Sequence, residues 1–518
     1  MVIIFPKKPS SYFFTYFCRG LLITAFLMVQ SDLKRKTVNG FFWGLIESFF
    51  SQGLGIAFGI ILARLLSVEE FGLLGMITII ISISQVLVDS GLNQSLIRKS
   101  NCSEEDYSTV FWMNLAVGLF LYLVLWFCSP LIASFYNEPS LEAITRVSGL
   151  AVIIGALTLI QQTKITKEID FKILTVISSA GTFISGVVSI IMAYNGYGVW
   201  SLVWRMIINQ AVRSILLWMH NKWYPTKSFS WTSFKDLFGF GSNILFVSLI
   251  ATLFKHIYNV LIGKNYSKAI LGYYTTADNY SAMASNTISS VTGKVSYPIL
   301  VNLQNDDAKL KASCSKLVHT IMFSSFLGMF GLVAIAKPLL VVLLGDKWLP
   351  SVIFFQVLCI AYSISPMQMI NQNILKVKGR SDLFFRTEIL KYIFFVPIII
   401  LGIFFGLHVL IAGIAVYYWI SFLLNAMYSG KLIQYSALQQ FREIVPLIAI
   451  FAFSTLVTLT FGYFVTWHKI FMLIAQSVIY AGTSIGITLL LKLPAYYDIK
   501  EVILRKLGYI TVFNFLKK

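Results

Sequence analysis

FFWGLIESFFSQGLGIAFGIILARLLSVEEFGLLGM, beginning at Phe41, aligns without a gap with GSNILFVSLIATLFKHIYNVLIGKNYSKAILGYYTT, beginning at Gly241, an offset of 200 residues. Each copy reads as an apolar helix, a short loop with a basic residue (Arg64 or Lys264), a serine (Ser67 or Ser267), a glycine (Gly72 or Gly272) and a second helix. The matching continues downstream. PLIASFYNEPSLEAI from Pro130 pairs with PLLVVLLGDKWLPSVIF from Pro338, and QQTKITKEIDF from Gln161 with QNILKVKGRSDLF from Gln372, at offsets of 208 and 211. Repetition on this scale predicts two six-helix lobes, residues 38–220 and 237–435, in the same orientation because six crossings return the chain to its starting side. They should be related by a pseudo-two-fold axis along the membrane normal.

A hydrocarbon core about 30 Å thick takes roughly 20 apolar helical residues to cross, and backbone polar groups inside it must be satisfied within the segment. Fourteen apolar stretches meet that demand, starting near residues 38, 71, 109, 141, 173, 197, 237, 271, 317, 350, 383, 407, 443 and 468. Composition agrees, with 57% hydrophobic and 12% charged residues and a mean hydropathy of +0.77. A barrel strand alternates polarity, whereas GLAVIIGALTLI from Gly149 is apolar all round. The expected fold is an all-α polytopic membrane protein with 14 transmembrane helices. Residues 221–236 link the lobes on the cytoplasmic side, residues 436–495 hold helices 13 and 14, and 496–518 form a cytoplasmic tail.

Thirty of the 41 Lys and Arg fall in segments on one side, against five (Arg64, Lys264, Lys268, Lys347 and Lys469) in the opposite loops. Cytoplasmic loops hold the basic excess, so both termini are expected in the cytoplasm. The net charge of +19 is thus topogenic, spread as short clusters over alternate loops, and implies no nucleic-acid partner. Residues 1–37 read as a cytoplasmic lead. Within it, residues 20–29 are apolar but too short to span, and no small-residue cleavage site follows. MVQSDLKRKTVNGFFWG from Met28 reads as the translated start, the alternative for residues 1–27 being an interfacial anchor. Five cysteines without CxxC spacing and five histidines without a ligand pattern predict no metal, no cofactor and no structural disulfide.

A basic lead before GFFWG at Gly40, ARLLSVEEFGLLGM from Ala63, DSGLNQSLIRK from Asp89, LGYYTTADNYS from Leu271 and a hairpin ending in YPILVNLQNDD near Asp307 occur together. In these the chain from Leu33 onward resembles the polysaccharide-transporter branch of the superfamily of multidrug, oligosaccharidyl-lipid and polysaccharide exporters. The resemblance implies a flippase of the bacterial inner membrane. It would carry undecaprenyl-diphosphate-linked oligosaccharide repeat units to the outer leaflet for capsule, O-antigen or another exopolysaccharide. It further implies H+ or Na+ as coupling ion, a polysaccharide polymerase as an optional partner, and helices 13 and 14 as a berth for the lipid tail. The rivals are a cation-coupled multidrug or small-metabolite antiporter, usually of twelve helices, and a flippase for the peptidoglycan lipid precursor.

An anionic, hydrated head on a long apolar tail requires a polar, cationic cavity, so intramembrane charges are the candidates. Each costs about 2.5–3.5 kcal/mol to place in hydrocarbon and should face a partner or a wet cavity. Arg205, Lys255, Arg146 and Lys391 are the candidate substrate-binding cations, the alternative being an ion pair or snorkelling. That alternative weighs more on Arg146, near an outer helix end, and on Lys391, one turn after Glu388. Glu47, Asp278, Glu388 and Asp89 are the candidate ion-coupling acids, with Asp89 readable as a helix-end residue and Glu47 as a structural pair. Gly40, Gly44, Gly55 and Gly59 allow close packing of the first helix, and Pro366 and Pro397 fall inside the tenth and eleventh spans as kinks, with Gly155 at the position matching Pro366. The amides Gln161, Gln162, Asn371, Gln372 and Asn373 read as interhelical glue before sugar contacts. No outer loop is long enough for a catalytic domain, and no nucleophile constellation or phosphate-cradling glycine loop occurs, so catalysis is not expected.

Overall fold

Aligned serines start aligned helices. In the computed structural model, which describes residues 52–491 apart from 169 and 466, Ser67 accepts the backbone N–H of Glu70 and its own N–H reaches the Glu70 carboxylate at 2.6 Å, a closed capping box. Ser267 accepts the N–H of Ile270 at 3.3 Å and opens the equivalent helix of the second copy. Glu47, Gly40, Gly44, the lead with its start at Met28, and the tail over 496–518 lie outside the described residues.

The described residues of the first copy form α1 (Gln52–Leu65), α2 (Val68–Asp89), α3 (Leu92–Arg98), α4 (Glu104–Tyr136), α5 (Ser140–Ser148), α6 (Leu150–Lys167), α7 (Phe171–Tyr194) and α8 (Val199–Asn221). The second holds α9 (Trp231–Asn265), α10 (Lys268–Val301), α11 (Asp307–Ala334), α12 (Ala336–Leu344), α13 (Ser351–Tyr362), α14 (Ser365–Val377), α15 (Ser381–Phe405) and α16 (Leu407–Leu432). Two more, α17 (Ala437–Phe464) and α18 (Lys469–Leu490), follow, and Tyr480 of α18 donates to the Leu327 carbonyl of α11 at 3.0 Å.

Among the described residues eleven helices are long and apolar enough to cross a membrane, counting α5–α6 and α13–α14 as one each. The chain is a multi-pass membrane protein. The described part of α1 is short, and α8 and α10 are long but too polar for that count. The polarity of α10 matters below.

The two copies meet where α2 crosses α10. A Cβ on Gly72 would lie 1.9 Å from the Lys268 carbonyl oxygen, and one on Gly272 would lie 2.1 Å from that of Val68. These contacts are reciprocal under the 200-residue offset, the pattern of an isologous interface. Only glycine lets the backbones touch, and in lipid, where tails are as apolar as leucine, close packing of this kind is what holds helices together. Around it the largest buried cluster draws on both copies, with Leu73, Met76 and Tyr136 against Tyr258, Ile262 and Leu271.

The tenth span departs from the expected kink. It breaks into α13 and α14, with Pro366 in the first turn of α14, where its missing N–H has no helical partner to lose. Carbonyls exposed by the break are taken by neighbours: Ser285 donates to Tyr362 O at 3.0 Å and Ser325 to Ser363 O at 2.7 Å. Pro397 stays inside α15, and Gly155 lies inside a continuous α6, whose span breaks earlier, at Gly149.

Gly72→Val and Gly272→Val should each destabilise the protein by about 1–3 kcal/mol through overpacking against backbone. Gly482→Ala, with open space around its Cβ, should stay within about 0.5 kcal/mol. Thermal unfolding of the purified proteins checks both.

Candidate functional site

Helix α10 separates three cavities because its polar residues recur on different faces. Tyr274, Asp278, Ala282 and Asn286, one turn apart, line a pocket of about 280 Å³. Thr276, Asn279, Tyr280 and Met283 face a cavity of about 690 Å³. Tyr280, Met283, Ala284 and Thr287 bound a third of about 350 Å³.

The largest cavity holds Arg205, half-buried on α8. Its guanidinium donates to the Gly55 carbonyl at 3.4 Å, and no carboxylate among the described residues is within ion-pair distance. The rest of the wall is rich in amides: Gln52, Gln85, Asn209, Gln210 and Asn279. Gly155 leaves room for Gln210, whose Nε2 would lie 3.4 Å from a Cβ there, and Gly59 does the same for the Tyr280 hydroxyl at 3.2 Å. A cation among neutral donors and acceptors suits a hydrated anion.

The smallest pocket brings Lys255 and Asp278 together without a direct ion pair. Tyr362 donates its hydroxyl to Asp278. Tyr258, Tyr274, Tyr392, Tyr417 and Tyr418 complete a tyrosine-rich wall, in which Phe254 stacks on Tyr392 with ring centroids 4.1 Å apart.

The other candidates stand apart. Lys391 is 3% exposed and pairs with Glu388 at 2.6 Å, and Gln372 donates to the same carboxylate oxygen at 3.1 Å. Arg146 pairs with Glu142 at 2.7 Å, donates to Ser129 Oγ at 2.9 Å and lies over the Trp126 ring. Asp89, at the end of α2, accepts from Asn93. None of these lines the three cavities. The amides Gln161, Asn371 and Asn373 bond to neighbouring segments through Trp223, Gln440 and Ser296.

Beyond the expected residues, the site contains the tyrosine wall, Tyr280 and the amides around Arg205. The sequence carries a signal for two of them, Tyr280 and Asn279. TTADNYSAMASNT, from Thr275, is the polar stretch of a helix amid apolar ones, and its residues at four-residue spacing mark the faces.

At one end of the bundle the copies are joined by a seam of side chain to carbonyl bonds. Arg64 donates to Leu343 O at 2.7 Å and to Val342 O, and Lys264, its counterpart in the repeat, donates to Phe135 O at 2.5 Å. Leu343 and Phe135 are themselves related by the 208-residue offset. Lys347 adds bonds to Arg64 O at 2.9 Å and to Leu66 O, Trp348 Nε1 one to Ala63 O at 2.9 Å, and Lys268 pairs with Glu138 at 3.1 Å. Burial lowers the Lys347 pKa below the ordinary lysine range, against the opposing pull of Glu70 and Glu69.

The family described as Polysaccharide biosynthesis protein matches residues 61–353. Lipopolysaccharide biosynthesis protein WzxC of Escherichia coli (strain K12) is 24% identical over 72% of this chain and 76% of its own. Teichuronic acid biosynthesis protein TuaB of Bacillus subtilis (strain 168) is 24% identical over 68% and 74%. Among solved structures, the lipid II flippase MurJ in an inward closed conformation superposes with a TM-score of 0.67 at 14% identity, covering 88% of this chain and 98% of that one, a likeness of fold.

Lys391→Met should destabilise the protein by about 3–5 kcal/mol, since it strands a partly buried carboxylate, and Lys391→Met with Glu388→Leu should recover most of that. Arg205→Met, which breaks no ion pair among the described residues, should leave stability within about 1 kcal/mol. Thermal unfolding in detergent separates the two kinds of cation.

Proposed function

The chain belongs to the polysaccharide biosynthesis protein family, and from that premise we propose that it flips undecaprenyl-diphosphate-linked oligosaccharide repeat units across the bacterial inner membrane. The units feed capsule, O-antigen or another exopolysaccharide, and the chain acts as a carrier, not as an enzyme. The observation that carries this reading is Arg205, a half-buried cation with no described carboxylate beside it, in an amide-lined cavity of about 690 Å³. A diphosphate supplies the missing counter-charge, and sugar hydroxyls match the amides and the tyrosine hydroxyls around Lys255.

In this reading α1, α8 and α10 complete fourteen crossings, and both termini are cytoplasmic. Residues 38–220 and 237–435 are the two lobes, joined by 221–236 and followed by helices 13 and 14 in 436–495. The reciprocal contacts at Gly72 and Gly272 and the paired Arg64 and Lys264 bonds support the two-fold relation. With the basic loops inside, the seam closes the outer face, and its opening while the other face closes releases the unit to the outer leaflet. Asp278, beside Lys255 and accepting from Tyr362, is the acid best placed to exchange H+ or Na+ during that cycle.

Arg205→Ala and Lys255→Ala should each cut surface polysaccharide by about tenfold or more, the loss expected when a charge-assisted contact to phosphate goes, with protein in the membrane unchanged. Polysaccharide measured on intact cells at wild-type levels in both variants would remove the cationic site. In proteoliposomes Asp278→Asn should flip substrate at a rate that no longer follows the imposed ion gradient. A preserved gradient dependence would take Asp278 out of the coupling step.

A further inference from the structure

The Arg205 cavity and the apolar cavity beside it adjoin, since Gln52, Ile56, Tyr280 and Met283 line both. Their chemistry differs sharply across that junction. Beyond it the wall consists of Leu332, Leu339, Leu340, Leu343, Leu344 and Phe355, on α11, α12 and α13. Sugar hydroxyls placed there would lose their water and find no partner, so a glycan is the wrong occupant. Polar groups cluster only at the junction: the Tyr280 hydroxyl, Thr287, and Gln52, whose Oε1 accepts from Thr287 at 3.2 Å and whose amide also offers N–H donors.

We infer that this apolar cavity seats the first isoprene units of the carrier lipid while its diphosphate rests at Arg205, with Tyr280 and Gln52 at the bond between head and tail. The inference rests on the proposed function and adds to it a subsite for the proximal end of the tail, inside the bundle and lined by no residue of α17 or α18. A ligand with an anionic head and an apolar tail is the one chemistry that satisfies both adjoining cavities. The arrangement also couples recognition of head and tail: a free diphosphate fills only the polar part, and a membrane acyl chain only the apolar part.

The test uses the full chain in lipid nanodiscs, with empty nanodiscs as the blank, and titrates inorganic diphosphate and geranyl diphosphate. Wild-type protein should bind geranyl diphosphate about tenfold or more tightly than diphosphate, as burial of the prenyl carbons requires. Leu339→Trp and Ala284→Phe, which fill the apolar cavity from two different helices, should each bring geranyl diphosphate down to the affinity of diphosphate and leave diphosphate itself unchanged. Arg205→Ala should weaken both. Equal affinities in the wild type, or a prenyl preference that survives both filling variants, would overturn the tail site while leaving the head site standing. Failure of the wild type to bind either compound would overturn the head site, and the tail site with it.

Discussion

The backbones of α2 and α10 touch at Gly72 and Gly272, and the rest of the architecture is arranged around that contact. In a bilayer no hydrophobic force draws one apolar helix to another, so association rests on close packing and on hydrogen bonds. Here both are concentrated where the two copies meet. Gly72 meets the Lys268 carbonyl and Gly272 that of Val68, and the seam reaches across the same end of the bundle from Arg64, Lys264, Lys347 and Trp348. Most of its acceptors are carbonyls at or near helix ends, which lack partners inside their own helices. The directional bonds of the seam lie at the end of the bundle, beyond the apolar cluster that surrounds the glycine contact.

Holding α10 at the centre has an electrostatic consequence. A helix carrying Asp278, Asn279, Ser281, Ser285, Asn286 and Thr287 would be poorly placed against lipid, and it is instead surrounded by cavities and by helices of both copies. The cations divide accordingly. Arg146 and Lys391 are compensated by Glu142 and Glu388 and hold local structure. Arg205 and Lys255 open onto cavities without an ion pair among the described residues, the state expected of groups awaiting an anion or bound water.

Much of this was legible in the sequence, for physical reasons. Helical spans follow from the demand that backbone groups be satisfied in lipid, whereas the breaks at Gly149 and before Pro366 did not, and the offset of 200 residues aligns Gly72 with Gly272 and Arg64 with Lys264. The pairing of Lys391 with Glu388 followed from one-turn spacing. Less legible was which charge faces which cavity. That depends on the rotation of each helix about its axis, and a helix apolar on every side does not encode it. The helix-end position of Arg146 pointed to a structural role, and it is stapled to Glu142, Ser129 and Trp126, whereas nothing in the sequence told which cavity Arg205 would line. The tyrosine wall escaped because its members are drawn from α9, α10, α13, α15 and α16, so only the folded chain assembles it.

The central claim is that the seam must part for cargo to leave. It is tested most directly by tying the seam shut: cysteines replacing Leu66 and Lys347 in a background without the native cysteines, joined by a short bismaleimide, and flipping of a fluorescent prenyl-diphosphate saccharide followed in proteoliposomes. Flipping should stop on cross-linking, while the same double variant with either cysteine capped singly continues to work. Undiminished flipping by the fully cross-linked protein would contradict the account.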